Sequence, residues 1–181
     1  RIQILIMKVK LCGFTEKKSL QTAIAQKCDF LGFVFHEKSP RYISPKNAAL
    51  IAAEVPETIA KVAVVVDLSL EELERVFKDF VPDFVQFHGE ESADFLKRFH
   101  QKFPQIKIIK VFRIEKKEDL NQIKNFEDCA DLFLFDAKVA GEKGGSGKSF
   151  DWKILQDFNS KKDWFLSGGI NIRNIEEALK I

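Results

Sequence analysis

Asp136 closes an apolar run, Leu132–Asp136, and a loop with glycines at 141, 144, 145 and 147 follows it and ends in Gly147-Lys148-Ser149. Two chemistries compete for this stretch. A carboxyl group at the end of a buried strand can donate a proton once burial raises its pKa. A glycine-rich loop ending in Gly-Lys-Ser can instead cradle a nucleotide phosphate, which would make the chain an ATPase or GTPase. Spacing separates the two. The phosphate loop is G-x-x-x-x-G-K-[ST], because consecutive backbone amides must wrap one phosphate. Counting back from Gly147, the first glycine position falls on Glu142, and Gly141 is one residue too early. Phe150-Asp151-Trp152 also intervene before the next helical pattern. The glycines are therefore read as hinges of a lid beside a substrate, and Asp136 as the reacting group.

Other residues able to do chemistry sit at the carboxyl ends of apolar runs. They are Cys12 with Lys10 below it, His36 or Arg41, Asp67, Gln86 with His88, Arg113, and the pair Gly168-Gly169. Cys12 and Asp136 stand out as a possible base and acid. The glycine pair precedes a helical pattern and suits phosphate binding by exposed amides. Cys28 and Cys129 match no motif and are read as structural.

The elements that must position these residues are short and alternate in type. Strand candidates are Val9–Cys12, Phe30–Phe35, Lys61–Val66, Phe84–His88, Ile106–Phe112, Leu132–Asp136 and Trp164–Ser167. They are apolar nearly throughout, as parallel strands buried on both faces are. Helical patterns lie between them at Ser19–Lys27, Pro45–Glu54, Leu70–Phe80, Ser92–Phe103, Glu118–Phe126, Trp152–Phe158 and Ile172–Leu179. Ser69 and Glu72 form a capping box before the third. Strand-then-helix units with short connections predict an α/β fold with a parallel sheet and helices outside it. The seven units are one short of a (β/α)₈ TIM barrel, in which active sites lie at the carboxyl ends of the strands. No sequence self-similarity accompanies the repeat. An open dinucleotide-binding sheet is the competing fold, but it lacks a glycine fingerprint after the first strand, where only Gly13 appears.

Composition narrows the function further. A length of 181 residues suits one domain, 1–181. The net charge is +2 with the signs interspersed, which gives no electrostatic case for nucleic acid or an acidic membrane. Eighteen phenylalanines against one tyrosine predict a dry, bulky core. Three cysteines without a CxxC pair argue against a disulfide framework or a zinc site and fit a reducing cytoplasm. No apolar run approaches the ~18 residues of a membrane span. Residues 1–6 are too short for a signal peptide. Met7, the single methionine, is a candidate start, which would make 1–6 an extension.

VKLCGFT at 9–15, DFLGFVFHEKSPRYIS at 29–44, VQFHGEE at 85–91, FDAKVAGEKGGSGKSFDW at 135–152 and SGGINIRNI at 167–175 resemble phosphoribosylanthranilate isomerases, in order and in spacing. The resemblance covers nearly the whole chain. It departs at Phe87, where leucine is common, and at Ile172, where proline often precedes the helix. The family pattern continues into an eighth strand with an Asp and a Ser-Gly-Val-Glu phosphate loop. The chain is therefore read as incomplete at its C-terminus, since a missing eighth strand would leave open sheet edges.

The resemblance implies an Amadori rearrangement of N-(5-phosphoribosyl)anthranilate to 1-(2-carboxyphenylamino)-1-deoxyribulose 5-phosphate, with no metal and no organic cofactor. It implies Asp136 as the acid at the furanose ring oxygen and Cys12 as the base at C2. Arg41 would grip the anthranilate carboxylate with its planar fork. His88 would lie in the pocket or orient its neighbours. Gly168 and Gly169 would offer amides to the 5-phosphate. The partner implied is a phosphorylated small molecule, bound by a cytoplasmic monomer or homodimer. The alternatives are another sugar-phosphate isomerase or synthase on the same barrel, or a non-catalytic phosphate-binding module. The Cys–Asp pair separates the chain from the histidine-pathway sister enzyme, which uses two aspartates.

Overall fold

A computed structural model describes residues 7–138 and 149–181. Residues 1–6 and 139–148 lie outside the described residues, and with them the candidate extension, the four loop glycines and Lys148. The strands are β1 (Lys10–Cys12), β2 (Phe30–Val34), β3 (Ala60–Val65), β4 (Phe84–Phe87), β5 (Lys107–Ile114), β6 (Leu132–Ala137) and β7 (Trp164–Leu166), and sheet order follows chain order. Strands β1, β2 and β3 pair in parallel, as do β5, β6 and β7. Between them run α1 (Lys17–Ala25), α2 (Pro45–Ala52), α3 (Leu70–Asp79) and α4 (Ala93–Lys102), then 3₁₀ helices Lys117–Phe126 and Trp152–Leu155, and α5 (Ile175–Ala178). The α/β class holds: the order and direction of the strands are those of a (β/α)₈ barrel, with seven of its units among the described residues. The chain divides into two compact units, one ending at Val85 and one beginning at Gln86.

Local chemistry explains the helix boundaries. The Ser69 hydroxyl accepts the Glu72 N–H at 3.2 Å, and the Glu72 carboxylate accepts the Ser69 N–H at 2.8 Å, which completes the expected capping box. The Ser44 and Ser92 hydroxyls open α2 and α4 by accepting the N–H groups of Asn47 and Phe95, with Pro45 preset for a first helical position. Three expected helices differ from the sequence reading. Residues Lys117–Phe126 wind as a 3₁₀ helix, where Gln122 Nε2 donates at 2.9 Å to the Asp119 carbonyl that an α-helical turn would use. Of the expected helix Trp152–Phe158, only Trp152–Leu155 is helical, also as 3₁₀. The last helix starts late because the Asn171 and Asn174 side chains take the N–H groups of Arg173, at 2.9 Å, and Asn171, at 2.7 Å.

Side-chain alternation divides each strand between two faces. Phe33 and Phe35 stack on Phe80 with ring centroids 5.0 and 5.2 Å apart. Phe87 meets Phe95 and Phe99 of α4 at 5.8 and 5.1 Å, and Phe135 meets Phe158 at 5.1 Å. The phenylalanines thus form the dry layer between strands and helices. Gly32, Gln86, His88 and Asp136 fall on the opposite face.

An Asp precedes each even-numbered strand and does the same work each time. Asp29, Asp83 and Asp131 accept the backbone N–H of Val9, Lys61 and Ile108 at 2.7 Å, and donate their own N–H to the carbonyls of the same residues at 2.9 Å. The repeat therefore has a sequence signature, Asp followed by Phe or Leu, that the sequence reading missed.

Candidate active site

In the first unit the site residues gather at the carboxyl end of β1. Cys12 pairs in register with Gly32. A Cβ on Gly32 would stand 2.6 Å from the Cys12 sulfur, so only glycine there leaves room for the thiol. Gly13 takes φ +96°, and its amide and that of Phe14 both donate to the Gly32 carbonyl, at 2.9 and 3.3 Å. A Cβ on Gly13 would meet Arg41 Cδ at 2.5 Å, so the aliphatic stem of Arg41 lies over this glycine. The loop that carries Arg41 is closed by hydrogen bonds from Ser39 N–H to His36 O and from Tyr42 N–H to Ser39 O. Arg41 N–H donates to the Ser39 hydroxyl, and the Arg41 side chain is exposed. Cys12 and Arg41 are thereby brought together.

The second unit assembles His88, Asp136 and Gly168. Asp136 is 5% exposed. One carboxylate oxygen accepts the Ala137 N–H at 2.9 Å, and the other lies 3.4 Å from His88 Nε2. The latter is a charge-range approach rather than a made hydrogen bond, and Nε2 is buried without a hydrogen-bond partner among the described residues. Gln86 Nε2 lies 3.0 Å from His88 Nδ1. When the amide donates there, the proton of a neutral ring sits on Nε2, facing Asp136. Gly168, at φ +87°, closes the other side, since a Cβ there would be 2.8 Å from both Asp136 Oδ1 and Ala137 N. Gly169, at φ +68°, has its carbonyl held by Asn171 Nδ2 at 2.8 Å and Asn174 Nδ2 at 2.9 Å. The helix after the glycine pair is only Ile175–Ala178.

Burial pushes the Cys28 thiol pKa up, aided by the Asp29 charge, and burial also raises that of Cys129. Neither is suited to act as a thiolate, in keeping with the structural role expected of them. The sequence reading missed two buried charged residues, Lys110 and Glu91, 4% and 7% exposed. The signal was available: a lysine in the middle of Ile-Ile-Lys-Val-Phe requires a buried partner. Among the described residues no group of three or more His, Cys, Asp or Glu side chains could hold a metal ion, and no helix is long and apolar enough to cross a membrane.

Residues 9–181 match the family model for N-(5'-phosphoribosyl)anthranilate (PRA) isomerase. The curated N-(5'-phosphoribosyl)anthranilate isomerase of Zymomonas mobilis subsp. mobilis is 36% identical over 176 residues, which cover 97% of this chain and 83% of the relative. The crystal structure of phosphoribosyl anthranilate isomerase from Thermotoga maritima is similar, with TM-score 0.86 and 30% identity over 97% of this chain and 83% of that one. A phosphoribosyl anthranilate isomerase solved with reduced 1-(o-carboxyphenylamino)-1-deoxyribulose 5-phosphate gives TM-score 0.82 and 28% identity over 96% of this chain and 81% of that one. This chain belongs to the N-(5'-phosphoribosyl)anthranilate isomerase family.

Proposed function

We propose that the protein isomerises N-(5-phosphoribosyl)anthranilate to 1-(2-carboxyphenylamino)-1-deoxyribulose 5-phosphate, in tryptophan biosynthesis, with Asp136 as general acid and Cys12 as general base. The observation that carries this reading is the environment of Asp136: a buried carboxyl at a strand end, flanked by His88 and Gly168. Asp136 gives its proton to the furanose ring oxygen, the ring C–O bond breaks, and the nitrogen lone pair forms the Schiff base. Cys12 takes the C2 proton, and the electrons of that C–H bond form the enolamine, which returns to the ketone by tautomerisation. His88 Nε2, which carries the ring proton when Gln86 donates to Nδ1, faces Asp136 and can offer a hydrogen bond to that carboxyl or to the opening sugar oxygen. Arg41, exposed and anchored by its stem on Gly13, takes the anthranilate carboxylate. Gly168 and Gly169, whose left-handed backbone a side chain would strain, take the 5-phosphate.

The protein works as one barrel domain, as a cytoplasmic monomer or homodimer, without nucleic acid or membrane partners. The relative solved with a phosphorylated aminoketose analogue supports the substrate class. The test is an assay of the full-length gene product with N-(5-phosphoribosyl)anthranilate, alongside complementation of a tryptophan auxotroph lacking this step. Growth and turnover are expected; a folded protein that does neither would refute the proposal.

A further inference from the structure

We infer that Lys110 is a positioning residue for the acid: it holds the segment that follows His88, and so sets the imidazole against Asp136. This rests on the reading of Asp136 and His88 given above. Lys110 lies mid-strand in β5, on the face that Phe112 shares, where Phe112 meets Phe126 with ring centroids 5.4 Å apart. Its ammonium donates to the Gly89 carbonyl at 2.8 Å and to Glu91 Oε2 at 3.0 Å, and stands 5.6 Å from the Phe126 ring centre. Arg113 lies three positions on, so it projects from the opposite face of the strand, and it forms an ion pair with Glu90. Strand β5 thus grips Gly89, Glu90 and Glu91 in succession, from both of its faces. His88 is the residue immediately before this gripped segment.

A buried ion pair gives little stability over an apolar pair of the same size, because both charges must leave water. What it adds is direction. The Lys110 bonds fix the peptide that leaves His88, and Gln86 fixes the ring from behind through Nδ1. The ring is left 3.4 Å from Asp136, where a shift of about 1 Å would break or tighten the approach.

The test separates this role from a merely structural one. Lys110→Met alone leaves the buried Glu91 carboxylate without the Lys110 ammonium and can fail to fold. The double variant Lys110→Met/Glu91→Leu removes both charges and is expected to melt at or above the parent temperature. In the intact enzyme we expect kcat to fall by about tenfold to a hundredfold with KM within about twofold, and the His88 ring NMR signals to move. A stable double variant with parental kcat and unmoved His88 signals would overturn the inference. Asp136→Asn, assayed in parallel, distinguishes the two levels. If it is inactive while the double variant keeps parental activity, the positioning role alone fails. If it is active, the acid assignment fails and takes the positioning role with it.

Discussion

Glycines at three positions make room for the candidate reacting side chains. Gly32 makes room for the Cys12 thiol, Gly13 for the Arg41 stem and Gly168 for the Asp136 carboxylate. Gly32→Ala is therefore expected to lower kcat by displacing the thiol, with far-UV circular dichroism unchanged. Cys12→Ser and Asp136→Asn should each abolish isomerisation and leave the fold intact; parental turnover in either variant would remove that residue from its role. The three cysteines also make a reactivity test. Burial holds the Cys28 and Cys129 thiols above their ordinary pKa; Cys12, partly exposed as Cys129 is, lies at a strand end. Iodoacetamide at neutral pH should label Cys12 first, read by peptide mass spectrometry, and substrate should slow the labelling.

At the scale of elements, the strands were legible to within a residue or two because their apolar runs end in polar residues. The helices were less so. Leu70–Asp79 was fixed by its Ser69–Glu72 box, a contact only three residues long in sequence. Lys117–Phe126 and the segment before Ile175 depend on whether the side chains of Gln122, Asn171 and Asn174 turn back on the backbone, which periodicity does not reveal. Ser69→Ala should cost about 1 kcal/mol by loss of the cap, and lower Tm by roughly 2–4 °C for a chain of this length. The Asp residues before β2, β4 and β6 make a parallel prediction. Asp131→Ala removes the acceptor for the Ile108 N–H, which is part-buried, and should cost about 1–3 kcal/mol in chemical denaturation. The same change at an exposed Asp away from a strand should cost far less.

At the scale of the whole molecule, three carboxyls among the described residues have a pKa held below the usual range. The Lys17 ammonium does this for Glu54 first, with Gln21 second, and the Ser69 backbone N–H does it for Glu72. For Asp119, burial pushes upward but is outweighed by the N–H groups of Glu115 and Lys116 and by the charges of Lys138 and Lys116. A depressed folded pKa means that the ionised form is the stabilising one. That contribution is fully present above the unfolded values near about 4 and is lost as pH falls through the folded values. Tm should therefore be flat from neutral pH down to about pH 5 and fall below about pH 4, and Asp119→Asn should flatten part of the fall. Unfolding followed by circular dichroism and by tryptophan fluorescence should coincide if the molecule is one domain. ATP should leave Tm unchanged, since the Gly-Lys-Ser tail has the wrong spacing to cradle a phosphate.

The sequence by itself determined the alternation of strands and helices, the α/β barrel class and the family resemblance, and it singled out Cys12, Arg41, His88, Asp136, Gly168 and Gly169 as candidates. These follow from periodicity, short-range capping and motif spacing, all of which are local properties of a chain. Only the tertiary structure decided which groups touch. It set His88 3.4 Å from Asp136 across 48 positions of chain, buried Lys110 on Gly89 and Glu91, and turned Asp29, Asp83 and Asp131 onto Val9, Lys61 and Ile108. Such pairings depend on strand register and on which face each side chain takes, and a one-residue slip would exchange every face. Asp136 stands out in the sequence as a candidate acid; its neighbours were fixed by the fold.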